Sequence, residues 1–114
     1  MTEQTSKQTP PLAARDFLIL LALVEGRSHG YAMLQSIAEE SEGAVRMDPA
    51  NLYRSLRRLA REGLVVEHDP DETRRRQYEL TAAGIDVVAS EAVRLERLVS
   101  VARSKSLLPA GGGK

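Results

Sequence analysis

The sequence predicts a mainly α-helical fold with one small β-hairpin, and three observations carry that prediction. Asp48-Pro49, followed by leucines at 52, 56 and 59, marks a helix with a defined start and one apolar stripe. Leu64-Val65-Val66 and Arg76-Gln77-Tyr78-Glu79-Leu80, separated by the turn cluster Asp69-Pro70-Asp71-Glu72, read as the two strands of a hairpin. Ile85, Val88, Ala92, Leu95, Val99 and Ala102 then recur at spacings of three and four residues, as one face of a long final helix does.

The elements follow in order. Residues 1 to 11 are polar and close on Pro10-Pro11, which predicts a disordered N-terminal arm. A first helix runs from about Leu12 to Glu25, with Phe17, Leu18, Leu20, Leu21 and Val24 leaving little polar face, and Gly26 ends it. Ser28 is positioned to cap a second helix, His29 to about Glu42, in which Tyr31, Leu34, Ile37 and Ala38 keep helical spacing. Gly43 closes it, and a short extended piece from Ala44 to Met47 leads to Asp48. Asp48 is an N-cap acid and Pro49 suits the first helical position, so a third helix runs to Glu62 before Gly63 stops it. After the hairpin, Thr81 caps the last helix, Ala82 to about Arg103. Three helices followed by a two-stranded hairpin is the winged helix-turn-helix arrangement. The expected division is an arm at 1–11, a winged domain at 12–81, a C-terminal dimerisation helix at 82–104 and a flexible tail at 105–114.

Length and composition bound the function. A chain of 114 residues makes one domain with one modest core. With no cysteine, neither disulfides nor cysteine-ligated zinc can form. The longest apolar run, Phe17 to Val24, is eight residues, far short of the ~20 needed to cross a bilayer. The first residues lack the apolar stretch of a secretory signal, so a cytoplasmic protein without a membrane partner is expected. Paired catalytic carboxylates, a phosphate loop, a metal cluster and a nucleophile with its base are not visible, which argues against an enzyme and against a cofactor or metal.

The charge pattern identifies the partner class. The chain is neutral as a whole, yet Ala44 to Arg61 holds five arginines and one acid. The third helix sets Ala50, Asn51, Arg54, Arg57, Arg58 and Arg61 opposite its leucine stripe, and a helix that needs only solubility mixes both signs there. An anionic partner is expected, double-stranded DNA above all. Ala50, Asn51 and Arg54 would approach base edges, because the start of such a helix enters the groove first. Arg57, Arg58 and Arg61 would hold phosphates, and Tyr53 on the flank would reach one through its hydroxyl. Arg74-Arg75-Arg76 follow the hairpin turn and lie where a wing meets the DNA backbone, although pairing with Asp69, Asp71 and Glu72 is an open alternative. His29 and Tyr31 open the second helix, whose N-terminal amides can hold a phosphate. With His68 the only other histidine, a structural or backbone-contacting role fits His29 better than metal ligation. Gly30 would let this helix start approach another backbone closely.

The final helix needs a partner of its own. Its stripe of Ile85, Val88, Ala92, Leu95, Val99 and Ala102, widened by Val87, Val93 and Leu98, exceeds what so small a domain can cover. A second copy related by a two-fold axis is the simplest cover, with packing back on the first helix as the alternative. Two copies would bring two recognition helices to consecutive major grooves, ~34 Å apart, over a palindromic operator.

The segment from Ile19 to Val66, followed by Arg74-Arg75-Arg76-Gln77-Tyr78-Glu79-Leu80-Thr81-Ala82-Ala83-Gly84, resembles the PadR family of transcriptional regulators. The resemblance rests on the leucine-rich first helix, the Glu25-Gly26…His29-Gly30-Tyr31 turn, Asn51-Leu52-Tyr53 with Leu56 and Leu59, Glu62-Gly63-Leu64, and Tyr78…Leu80-Thr81…Gly84, across residues 17 to 84. Asn51 departs from the pattern, since the family commonly carries threonine or serine there. The resemblance implies a homodimeric winged-helix repressor of the shorter subtype, released when a small hydrophobic or phenolic effector binds near the dimer interface. The chain has no tryptophan to line an aromatic cage for such a molecule. The competing expectation is a winged-helix protein-interaction module without DNA binding, which the zero net charge and the acids near the wing favour.

Overall fold

The computed structural model describes residues 11–70 and 75–109. These form helix α1 (Ala14–Leu21), strand β1 (Ser28–His29), helix α2 (Gly30–Glu40), helix α3 (Pro49–Arg61), strands β2 (Val65–His68) and β3 (Gln77–Leu80), and helix α4 (Ala82–Ser104). Nearly all of the expected arm, the last five residues of the expected tail, and Arg74 of the wing lie outside the described residues. The architecture is the expected one, mainly helical with a small antiparallel sheet.

One core joins the four helices and the hairpin. Ile19, Leu20 and Leu23 meet Met33 and Ile37 of α2, Leu52, Leu56 and Leu59 of α3, Val65 and Tyr78 of the hairpin, and Val88 of α4. The leucine stripe of α3 is therefore core, as its spacing requires. The first helix departs from expectation. Its regular part ends at Leu21, and the chain continues to Gly26 through tighter i→i+3 bonds from Leu23, Val24 and Gly26. It is buried on one side only: Ile19 and Leu20 are fully enclosed, while Val24 is half exposed.

The start of α2 also differs. The sheet has three strands in the order β1-β3-β2, with Ser28 opposite Tyr78 and His29 opposite Gln77. Ser28 does not cap α2. Its backbone is spent on the sheet, and His29 stands at the N-cap position without a side-chain hydrogen bond to the helix. Met33 and Ile37 supply the core face of α2, whereas Tyr31, expected on that stripe, is 66% exposed. Gly30 approaches a side chain rather than a backbone: a Cβ there would stand 2.5 Å from the Tyr53 hydroxyl oxygen.

The hairpin and α4 are locked together at one corner. Val65↔Leu80 through His68↔Gln77 set the register, so β2 extends two residues further toward the turn than expected. Thr81 accepts from the Gly84 amide at 3.0 Å and donates its hydroxyl hydrogen to the Gly63 carbonyl at 2.6 Å, while its own amide donates to Leu64 O at 3.1 Å. One residue thus caps α4 and ties it to the end of α3.

Candidate nucleic-acid interface

Helix α3 is built to present a cationic edge. The Asp48 carboxylate accepts from the Asn51 amide at 2.8 Å, and Pro49 gives up no useful donor at the first position. At ~100° per residue, burying Leu52, Ser55, Leu56 and Leu59 turns Ala50, Arg54, Arg57 and Arg61 to the opposite side. Those four are exposed, and the three arginines make no ion pair among the described residues. Arg54 donates to the Asn51 side-chain oxygen, and Asn51 in turn donates to Asp48 at 3.4 Å, so two of the three expected base readers are connected.

Arg58 stands apart from that ridge. It lies on the flank facing α1 and donates to the Asp16 carboxylate at 2.9 Å, with Glu62 at 3.9 Å. The Asp16 hydrogen bond outweighs partial burial and holds the Arg58 guanidinium above its ordinary pKa. Asp16 is only 7% exposed, so this pair fastens α3 to α1. Nothing in the local pattern of the first helix marks Asp16, because its partner is 42 residues away.

A cleft of about 750 Å³ opens on the opposite flank, between α3 and the hairpin. Tyr53 and Arg57 line it from α3, His29 and Tyr31 from the start of α2, and Arg75, Arg76 and Tyr78 from the wing. The structure thus gathers six of the twelve expected DNA-site residues around one opening. Tyr53 and Tyr78 pack at a centroid distance of 6.3 Å and an angle of 44°. Arg76 is paired with Glu67 of the neighbouring strand rather than with an acid of the turn, whereas Arg75 is exposed without an ion pair among the described residues. On the outer side of the sheet, His68 meets Glu79 at 2.8 Å and Gln77 contacts His29 at 3.2 Å.

Tyr78 gives this cleft a measurable signature. Burial, reinforced by the negative charge of Glu67, pushes its hydroxyl up to about 12. The unfolded chain releases that proton near pH 10 and the folded one does not, so the folded state is favoured below pH 10 and loses this advantage as pH rises toward 12. Denaturant titrations between pH 9 and 12 are expected to show stability falling with pH, and Tyr78→Phe should flatten that part of the slope. An unchanged slope in the variant would rule out Tyr78 as its source.

A second, shallower cleft of about 430 Å³ lies on the α1 side, lined by Arg15, Arg46, Met47 and Asn51 among others. The expected dimerisation stripe is split. Val88 is buried in the monomer core, but Ile85 is 52% and Val99 42% exposed, and Val93, Leu95, Leu98 and Val101 are exposed beside them. Packing of α4 on α1 covers its first half only. Among the described residues no His, Asp and Glu side chains cluster to hold a metal, and no helix is long and apolar enough to cross a membrane.

The family model described as the transcriptional regulator PadR-like family matches residues 19–90. A transcriptional regulator from Clostridium thermocellum has a similar structure, with a TM-score of 0.69 and 25% identity over 82% of this chain and 96% of that one. Bacillus subtilis PadR, solved in complex with operator DNA, superposes with a TM-score of 0.59 at 21% identity, over 68% of this chain and 46% of that one, a likeness of fold. A 37.1 kDa protein of a Streptomyces fradiae transposon is 37% identical over 81 residues, and this chain spans 23% of its length.

Proposed function

This chain belongs to the PadR-like family of transcriptional regulators, and we propose that it acts as a homodimeric repressor that binds a palindromic operator through α3. The observation that carries this reading is the ridge of Arg54, Arg57 and Arg61, exposed and without acid partners among the described residues, on a helix whose other side is core. The operator complex of Bacillus subtilis PadR supports the choice of partner. In this reading Ala50, Asn51 and Arg54 meet base edges, and Arg57, Arg61, Arg75 and the hydroxyls of Tyr31 and Tyr53 hold phosphates with the start of α2. Arg58 is left to position the helix through Asp16.

The exposed half of α4 supports the dimer. Leu95, Leu98 and Val99 form an apolar strip that one protomer leaves in water, and a two-fold partner would cover it with the same strip. Release by a small hydrophobic or phenolic effector belongs to the same proposal, with that strip bounding the effector site once two copies meet. Selection of bound sequences from a random DNA pool tests the reading. Enrichment of a palindrome with half-sites about 10 base pairs apart is expected. Failure to enrich any sequence, with the protein folded and salt low, would overturn it.

A further inference from the structure

We propose that the cleft formed by Arg15 of α1 and Arg46 of the α2–α3 connection anchors the phosphodiester strand on the side of α3 away from the wing. The inference rests on the DNA-binding reading above and adds a contact surface to it. A helix seated in the major groove, ~12 Å wide, has a phosphate strand along each rim. The wing cleft, with Arg57 and Arg75, serves one rim. The other rim must pass the flank that carries Asn51, and there the chain brings Arg15 and Arg46 together in one opening with Asn51.

Local structure holds both cations outward. The connection is pinned by Ser41, whose hydroxyl accepts from the Val45 amide at 3.0 Å. Val45 and Met47 pack against the core, so alternation along this extended piece turns Arg46 to solvent. Arg15 lies in the first turn of α1 beside buried Asp16, Ile19 and Leu20, but on the exposed side. The acids nearest to them in sequence are already engaged: Asp16 accepts from Arg58, and Asp48 caps α3. Neither Arg15 nor Arg46 makes an ion pair among the described residues. A cation in the first turn of a helix is opposed by the helix dipole, so Arg15 works against folding where it stands. A phosphate in the cleft would satisfy both arginines at once, with the orientation set by two separate elements.

The test compares wild type with the double variant Arg15→Ala, Arg46→Ala, using an operator duplex recovered from the random pool and a scrambled duplex of equal length. Both residues are exposed, so unchanged helical circular dichroism and a melting temperature no lower than that of the wild type are expected. The slope of log affinity against log salt should fall by ~0.9 for each phosphate that the variant no longer neutralises, up to ~3.6 for a dimer. Affinity should drop at least about tenfold on both duplexes, leaving their ratio unchanged, and Lys at both positions should restore most of it. If the wild type binds and the alanine variant keeps its salt slope, this anchor is wrong while the DNA-binding reading stands. If the operator-to-scrambled ratio collapses instead, the two arginines read bases and the anchor role is overturned. If the wild type binds neither duplex, both readings fall.

Discussion

Reversing three charges on α3, in the variant Arg54→Glu, Arg57→Glu, Arg61→Glu, is expected to abolish operator binding while leaving the fold intact. The fold is spared because all three side chains are exposed and make no ion pair among the described residues, so no buried partner is stranded. Binding fails because each cation removed forfeits about 1–3 kcal/mol of attraction to base or phosphate, and each glutamate adds repulsion. The sum exceeds ~3 kcal/mol per protomer, more than a hundredfold in affinity, and a dimer suffers it twice. Fluorescence anisotropy on the selected operator should therefore fall to the level of non-specific binding. Arg58→Glu makes a poor substitute, since it would set two acids against each other at Asp16 and confound binding with stability. The comparison also separates the repressor reading from a winged-helix interaction module. In a module without DNA binding, wild type and triple variant would bind duplex DNA equally poorly.

What could be read in advance was set by short-range chemistry. The start and end of α3, the cap at Thr81 and the leucine stripe all depend on residues within a few positions of each other, and each appears where local signals place it. The features that differ depend on distant partners. Strand β1 is two residues long and exists because Tyr78 and Gln77 of β3 lie beside it, about fifty positions along the chain. Without that pairing, Ser28 before a helical pattern reads as a cap. Tyr31 keeps helical spacing with Leu34 and Ile37, but Met33 is available to fill the core, and the tyrosine faces the wing cleft instead. Candidate-site residues divide the same way. The cationic ridge follows from periodicity alone. The removal of Arg58 to Asp16, and the meeting of Arg15 with Arg46, follow only from how α1 packs against α3 and the connection before it.

Replacing Gly84 by alanine is expected to lower stability more than any other single methyl added to the helices. Gly84 is buried in the first turn of α4, where the helix crosses the start of β2. A Cβ there would overlap the carbonyl oxygen of Leu64 and stand 3.0 Å from Leu80 Cδ2. The leucine side chain can turn aside. The carbonyl cannot, because it accepts from the Thr81 amide at 3.1 Å and follows Gly63, whose own carbonyl receives the Thr81 hydroxyl. Relieving the overlap must therefore move α4 away from the hairpin or break the corner that Thr81 ties. Overpacking against fixed neighbours costs about 1–3 kcal/mol, which in a domain of this size lowers the melting temperature by roughly 5–20 °C. The sign is what makes the experiment decisive. Alanine favours a helix by up to ~1 kcal/mol over glycine, so a site without the clash would melt higher in the variant. Because α4 also carries the strip proposed to form the dimer, a displaced helix should weaken self-association as well. Sedimentation at matched concentrations would then show the variant shifted toward monomer. A variant that melts at or above the wild-type temperature would mean that α4 does not rest on Leu64 as the structure has it.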